Sequence, residues 1–326
     1  MGTQGLTLYD FLLQNAKTRG SEAAILDADR TTTHKQFLKR VDQLAAGILR
    51  FGLSKGDRIC ILAQNSLEYF ELYGACAKTG VIAWPVNWRL SAEEVRQAFE
   101  LADPQMLAIG PAYLPLLEEV DLGSLQIRSL IGEGTADGFL PLTDLYVDDD
   151  QISIDVQVDD PFVILATAAT EGVSRGAVLA HGNLIAAGDH LINALGLTSE
   201  DRHLAALPLF HITGLGLSLA VMKAGGANVV TDAFDPLQAA QLIDTHRVTL
   251  LASFPPVLTM LMEARQASEA QWDRLRYVLG LDAPDTIQRL LTETSAEFWT
   301  GFGQSETSGV VTLGSVMEKP GSTGKP

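Results

Sequence analysis

Short apolar runs alternate with amphipathic helical stretches along almost the whole chain, and that alternation limits its fold more than any other feature. Arg58 to Ala63, Val81 to Pro85 and Met106 to Ile109 read as strands, each a brief apolar run bounded by turn residues. Thr7 to Ala16, Thr33 to Arg50 and Leu67 to Thr79 carry apolar residues at helical spacing. Ser66 is placed to cap the third of these, and Ser91-x-x-Glu94 is a capping box opening another helix. From Gly132 to Asp160 the pattern weakens into Gly, Asp and Pro turns with the acidic run Asp148-Asp149-Asp150, a connecting region. It resumes with strands over Phe162 to Thr167, Val178-Leu179, Leu204 to Leu207, Ala227 to Thr231, Leu250 to Ser253 and Tyr277 to Leu279. Helices are expected over Asn183 to Leu195 and Gly214 to Lys223. Strands separated by helices pair in parallel with both sheet faces covered. The expected fold is α/β, two successive parallel βα sheets packed with helices, with a first subdomain over 1–160 and a second over 161–326.

Composition narrows the function. With 47% hydrophobic and 19% charged residues in 326, the chain can bury large cores. A formal charge of −17 argues against a nucleic-acid polymer as partner, which needs clustered Lys and Arg, and leaves room for a single nucleotide. Cys60 and Cys76 lack metal-ligand spacing and read as buried thiols in a reducing compartment. Met1 to Phe11 has no basic stretch followed by an apolar core, and no apolar run reaches membrane-spanning length, so a cytoplasmic protein without a membrane span is expected.

Two segments carry chemistry-bearing residues. Ala166 to Gly176 (ATAATEGVSRG) follows a strand, and its hydroxyls, Gly172, Gly176 and Arg175 suit a loop that wraps an anion. On these residues alone a plain surface hairpin is the better reading. Gly301 to Thr307 puts glycines, Ser305 and Glu306 after the apolar pair Phe298-Trp299. A carboxylate there can hold Mg²⁺ and a hydroxyl can reach a phosphate, while a simple Gly-Glu turn closing a strand is the alternative. No Gly-Lys-Ser/Thr opens a helix, no Gly-x-Gly-x-x-Gly follows a strand, and Gly303-x-Ser305 lacks the second glycine of a nucleophile elbow. His203 and His211 are too far apart for a helical metal pair.

In order and spacing, Thr167 to Gly176, Leu207-Pro208-Leu209-Phe210-His211-x-x-Gly214, Gly301 to Thr307 and the tail Gly321 to Pro326 resemble signatures of the adenylate-forming superfamily. That superfamily comprises acyl- and aryl-CoA synthetases, luciferases and peptide-synthetase adenylation domains. Pro85-Val86-Asn87-Trp88-Arg89-Leu90 and Pro255-Pro256-Val257-Leu258 look like the acyl-CoA synthetase branch. The resemblance implies ATP-dependent activation of a small-molecule carboxylic acid, fatty or aromatic, through an acyl-adenylate, then transfer to a thiol such as coenzyme A. ATP/AMP, Mg²⁺ and coenzyme A are the implied ligands. It further implies Glu306 as the Mg²⁺ ligand, Ser305 near the α-phosphate, and His211 beside the reacting carboxylate. Phe302 and Gly303, with the loop Gly280 to Pro284 (including Asp282, Ala283 and Pro284), would hold adenine, and Thr167, Thr170, Gly172, Arg175 and Gly176 the phosphates. His211 as the cap of a buried turn stays open beside this role.

The phosphate loop departs from the family's Thr-Ser-Gly-Thr-Thr-Gly-x-Pro-Lys-Gly. Ala168 removes a hydroxyl, Ala169 adds a Cβ, Glu171 brings a carboxylate toward the phosphates, and Arg175 replaces a lysine. Leu281 and Asp282 stand where the adenine loop is usually smaller. The sequence stops at Pro326, before the family's ribose-binding Asp, hinge and C-terminal lid domain. The resemblance therefore implies an N-terminal fragment unable to turn over efficiently alone, with open surface that permits a homo-oligomer. A non-catalytic relative serving as an acyl-ligand-binding or protein-interaction module is the alternative that the loop changes favour.

Overall fold

A computed structural model describes residues 5–27, 30–118, 120–123, 125–148, 152–167, 174–231 and 233–326. The first helix, α1 (Leu8–Thr18), starts where the Thr7 N–H donates to Asp10 Oδ2 at 2.7 Å, and it buries Leu8, Phe11 and Leu12. Two short strands follow, β1 (Ala23–Leu26) and β2 (Thr31–Thr33). Helices and strands then alternate as α2 (His34–Arg50), β3 (Arg58–Leu62), α3 (Leu67–Thr79), β4 (Ile82–Pro85), α4 (Ala92–Ala102) and β5 (Met106–Ile109). Both sequence caps form: Tyr69 N–H donates to Ser66 Oγ at 3.2 Å, and Ser91 N–H donates to Glu94 Oε2 at 2.8 Å.

The chain continues through β6 (Ile127–Leu130), β7 (Leu140–Pro141), β8 (Pro161–Ala166), β9 (Gly176–Ala180) and α5 (His181–Leu195). Beyond it come β10 (Arg202–Ala205), α6 (Ile212–Ala224), β11 (Ala227–Val230), α7 (Pro236–Thr245), β12 (Leu250–Ser253) and α8 (Val257–Ser268). The last elements are β13 (Tyr277–Gly280), α9 (Pro284–Glu293), β14 (Glu297–Gln304) and β15 (Gly309–Ser315). Among the described residues these strands form two sheets, ordered β7-β6-β5-β3-β4-β8-β9 and β15-β14-β13-β12-β10-β11-β1-β2. Interior pairs are parallel, as between Ile59 and Met106 or Leu251 and Val278, and β9, β2 and β15 close edges in antiparallel sense. The parallel strands are buried on both faces, which is why they read as short continuous apolar runs.

The chain divides into two compact units, 1–21 with 34–185 and 22–33 with 186–326. The division expected at 160/161 falls inside the first unit, because β8 pairs with β4 (Ala83 with Val163) and β9 pairs with β8. The connecting region belongs there too. Val147 N–H donates to Gln43 O at 3.1 Å, and a Cβ on Gly47 would sit 1.8 Å from Leu145 O, so α2 and residue 145 meet backbone to backbone. In the other direction, β1 leaves the N-terminal region to pair with β11, Ile25 opposite Asn228. The first core contains Leu62, Val95, Phe99, Leu107 and Ile109, and the second Val229, Leu251, Trp272, Val278 and Phe298.

Candidate functional site

In the second unit, β10, β12, β13 and β14 lie side by side and parallel, so the segments leaving them emerge along one carboxyl edge. Open parallel sheets collect ligands at such edges, because the strand-to-helix turns there present free backbone groups. The turn after β10 leads to His211, the turn after β13 carries Asp282, Ala283 and Pro284, and the turn after β14 carries Ser305 and Glu306. Sequence segments dispersed over almost a hundred residues thus share one sheet edge.

His211 is the N-cap of α6, and its Nδ1 accepts from the Thr213 N–H at 3.2 Å. An imidazole that accepts at Nδ1 is neutral with its proton on Nε2. Desolvation by neighbouring atoms lowers its pKa below the ordinary histidine value, which agrees with that state. The spacing His211-x-x-Gly214 has a steric cause: a Cβ on Gly214 would lie 2.3 Å from Pro208 O, so only glycine lets α6 close onto the preceding turn. The capping role and exposure toward solvent coexist in His211.

The turn 305–307 is a single 3-10 turn ending at Ser308 in the left-handed region, φ 60°. Thr307 Oγ1 accepts from the Gln304 N–H at 3.2 Å and is 2.9 Å from Gly309 O, holding the turn shut. Ser305 is buried and Glu306 exposed, and the Glu306 carboxylate makes no hydrogen bond or ion pair with a described residue. Among the described residues no group of three His, Cys, Asp or Glu side chains could enclose a metal ion. A lone outward carboxylate nevertheless fits Mg²⁺, which keeps most of its waters and binds through one or two carboxylates together with substrate phosphates.

Glycines let β14 and β15 approach closely: Cβ atoms on Gly301 and Gly303 would meet Thr312 O at 2.3 Å and Gly309 O at 2.1 Å. Phe302 between them is 57% exposed, so its ring is not part of the core. Thr312 was not singled out in the sequence, yet its hydroxyl accepts from the Phe302 N–H at 3.2 Å and donates to Thr323 O at 2.6 Å. Through it and the Leu313–Lys325 bridge, the tail Gly321 to Pro326 pairs beside β15. At the end of β13, Gly280 (φ 143°) approaches Ser253 so closely that a Cβ would lie 1.9 Å from its carbonyl oxygen. Asp282 then turns back, its Oδ1 accepting from the Ala283 N–H at 2.8 Å. Its Oδ2 and the Ser253 hydroxyl are buried without a hydrogen-bond partner among the described residues.

The remaining expected residues belong to the first unit. Thr167, Arg175 and Gly176 form the base of the β8–β9 hairpin: Thr167 N–H donates to Arg175 O at 2.8 Å, and Arg175 N–H donates to Thr167 Oγ1 at 3.1 Å. Ser174 Oγ donates to Thr167 O at 2.9 Å. Gly176 pairs with Ala166, and a Cβ there would strike Ile164 Cγ2 at 2.6 Å. Arg175 is exposed. Thr170 and Gly172, with Ala168, Ala169 and Glu171, lie outside the described residues.

The model of the AMP-binding enzyme family matches residues 12–326. The chain belongs to that family. A feruloyl-CoA synthase of an Amycolatopsis species is 28% identical over 332 residues, covering 100% of this chain. A fatty acid–[acyl-carrier-protein] ligase, ScoC, of Streptomyces coeruleorubidus is 29% identical over 92% of the chain and 59% of that relative. The chain spans only 65% of the length of the feruloyl-CoA synthase. A crystal structure from Rhodopseudomonas palustris, of a protein proposed to be a long-chain-fatty-acid CoA ligase, superposes with a TM-score of 0.94 at 40% identity, covering 100% of this chain and 82% of the other. In this AMP-binding family the two-sheet α/β architecture is therefore shared, and it is the N-terminal domain of acyl-CoA synthetases that it matches.

Among the described residues no helix is long and apolar enough to cross a membrane.

Proposed function

We propose that the chain carries the nucleotide- and acid-binding part of an ATP-dependent acyl- or aryl-CoA ligase, which activates a carboxylic acid as its acyl-adenylate before thioester formation. The observation that carries this is the gathering of His211, Asp282 to Pro284, Phe302 and Ser305-Glu306 along one carboxyl edge in a member of the AMP-binding family. Ser305 is assigned to the α-phosphate and Phe302, Gly303 and the 282–284 turn to the base. Thr167, Thr170, Gly172, Arg175 and Gly176 are assigned to the β- and γ-phosphates. Glu306 is assigned to Mg²⁺, which when bound neutralises charge on phosphate oxygens. His211, neutral with Nε2–H, is a donor for the acid's carboxylate. The curated relatives are named a feruloyl-CoA synthase and a fatty acid–[acyl-carrier-protein] ligase, which supports an aromatic or fatty acid as substrate.

A second reading, an acyl-binding relative without catalysis, is supported by Ala168, Ala169 and Glu171 in the phosphate loop. Titration calorimetry separates the two. Binding of both Mg·ATP and a fatty or aryl acid is expected of the ligase part; acid binding with no binding of Mg·ATP would favour the second reading.

A further inference from the structure

No residue of α6 is exposed, so no polar stripe selects how this helix is rotated on its sheet. Apolar burial is non-directional, so it selects a rotation only through the fit of side chains. A polar cluster under the helix is not tolerant. His203 on β10 and Asn228 on β11 are register neighbours, both buried, with His203 Nδ1 2.8 Å from Asn228 Oδ1. The Asn228 amide donates from Nδ2 to Ser218 O, in the middle of α6, at 3.2 Å, and Ser218 Oγ lies 3.4 Å from His203 Nδ1. Because Asn228 Oδ1 only accepts, His203 carries a proton on Nδ1, and burial keeps the ring neutral, the opposite tautomer to His211. A slip of α6 by one residue would strand these groups where no water can replace the lost bonds.

The other ties of α6 are less specific. Gly214 permits a close approach without adding a directional bond, and Lys223 reaches Asp189 from the last turn on a long flexible stem.

We propose that the His203–Asn228–Ser218 cluster fixes the rotation and axial register of α6, and so positions His211 at its N-cap. His203 and Asn228 are then positioning residues for the sheet-edge site. The catalytic consequence rests on the ligase reading above; the register claim does not. A slip of one residue moves a helix by about 1.5 Å, and misplacements of about 1 Å near reacting atoms cost on the order of a hundredfold in rate.

The test compares wild type with the apolar double variant His203→Leu/Asn228→Leu and with His203→Asn, whose amide reaches the position of Nδ1. The chain has 6 histidines, so ¹⁵N imidazole spectra resolve the His211 tautomer directly. The double variant is expected to fold, to lose the single Nε2–H signature of His211 and the discrete Thr213 amide, and to lose at least tenfold in affinity for a fatty or aryl acid at unchanged affinity for Mg·ATP; His203→Asn should restore both. A double variant with the wild-type His211 spectrum and acid affinity overturns the proposal. Should the double variant not fold, His203→Asn against His203→Gln decides, since equal His211 spectra in that pair also overturn it. Absence of Mg·ATP binding by wild type itself would refute the ligase reading, while the His211 spectra still decide the register.

Discussion

Gly280 and Gly216 show how differently one residue type is used in this chain. Gly280 has φ 143° and no room for a Cβ against Ser253 O, whereas Gly216, inside α6, has nothing within 4 Å of its would-be Cβ. Gly280→Ala is therefore expected to lower stability by about 1–3 kcal/mol through overpacking and strain. Gly216→Ala should raise it by roughly 0.5–1 kcal/mol, as alanine in a helix loses less backbone entropy. Urea midpoints of the two variants should move in opposite directions, and equal shifts would contradict the steric contrast. In His211 the cap is realised, since Nδ1 accepts from the Thr213 N–H, and that cap leaves Nε2–H free for the proposed contact with the acid. The cap was open in the sequence as one of two roles, and capping by histidine has no strong sequence preference to decide it.

At the scale of elements, strands and helices with buried apolar runs were legible: β3, β4, β5 and β12 appear within a residue or so of their expected bounds. The misses have physical causes. β1 and β2 are short, and β1 gains its stability from pairing with β11, roughly two hundred residues away in sequence, which no local pattern records. α7 was announced by Asp235 and Pro236, with Asp235 Oδ1 accepting from the Gln238 N–H at 2.7 Å, a start signal the sequence offered and the apolar pattern overshadowed. The β8–β9 hairpin is antiparallel as a plain hairpin would be, and its base is closed by Thr167 and Arg175 backbone bonds. Whether its loop holds phosphate is a matter of residue chemistry. The combined changes Ala168→Ser, Ala169→Gly, Glu171→Thr, Ser174→Pro and Arg175→Lys should tighten Mg·ATP binding by at least about fivefold. Two like charges about 4 Å apart cost roughly 1 kcal/mol in water and about 4 at an effective dielectric near 20. Unchanged affinity in calorimetry would show that the altered loop is not an obstacle.

For the whole molecule, two buried histidines contribute to the response to acid. His181, whose Nδ1 accepts from the Leu8 N–H at 3.2 Å, and His203 both have pKa values lowered to about 4, chiefly by burial. In the unfolded chain each would titrate near 6.5. Between these values the unfolded state binds more protons, so stability is complete above about pH 6.5 and is lost as pH falls toward 4. Each histidine contributes at most about 3 kcal/mol to that loss. Urea denaturation from pH 7 to pH 4.5 should show a steady fall in midpoint, and a flat profile would contradict the buried, neutral assignment of both rings. The division into two units was the part least legible beforehand, because the acidic, turn-rich stretch before residue 160 looks like a linker while its backbone is bonded to α2. What the second unit assembles at its sheet edge is tested most directly by titration calorimetry of Mg·ATP, at physiological ionic strength, against wild type and Glu306→Gln. Binding by wild type that weakens at least about tenfold in the variant is expected; equal binding by the two proteins, or none by wild type, would contradict a nucleotide site built around Glu306.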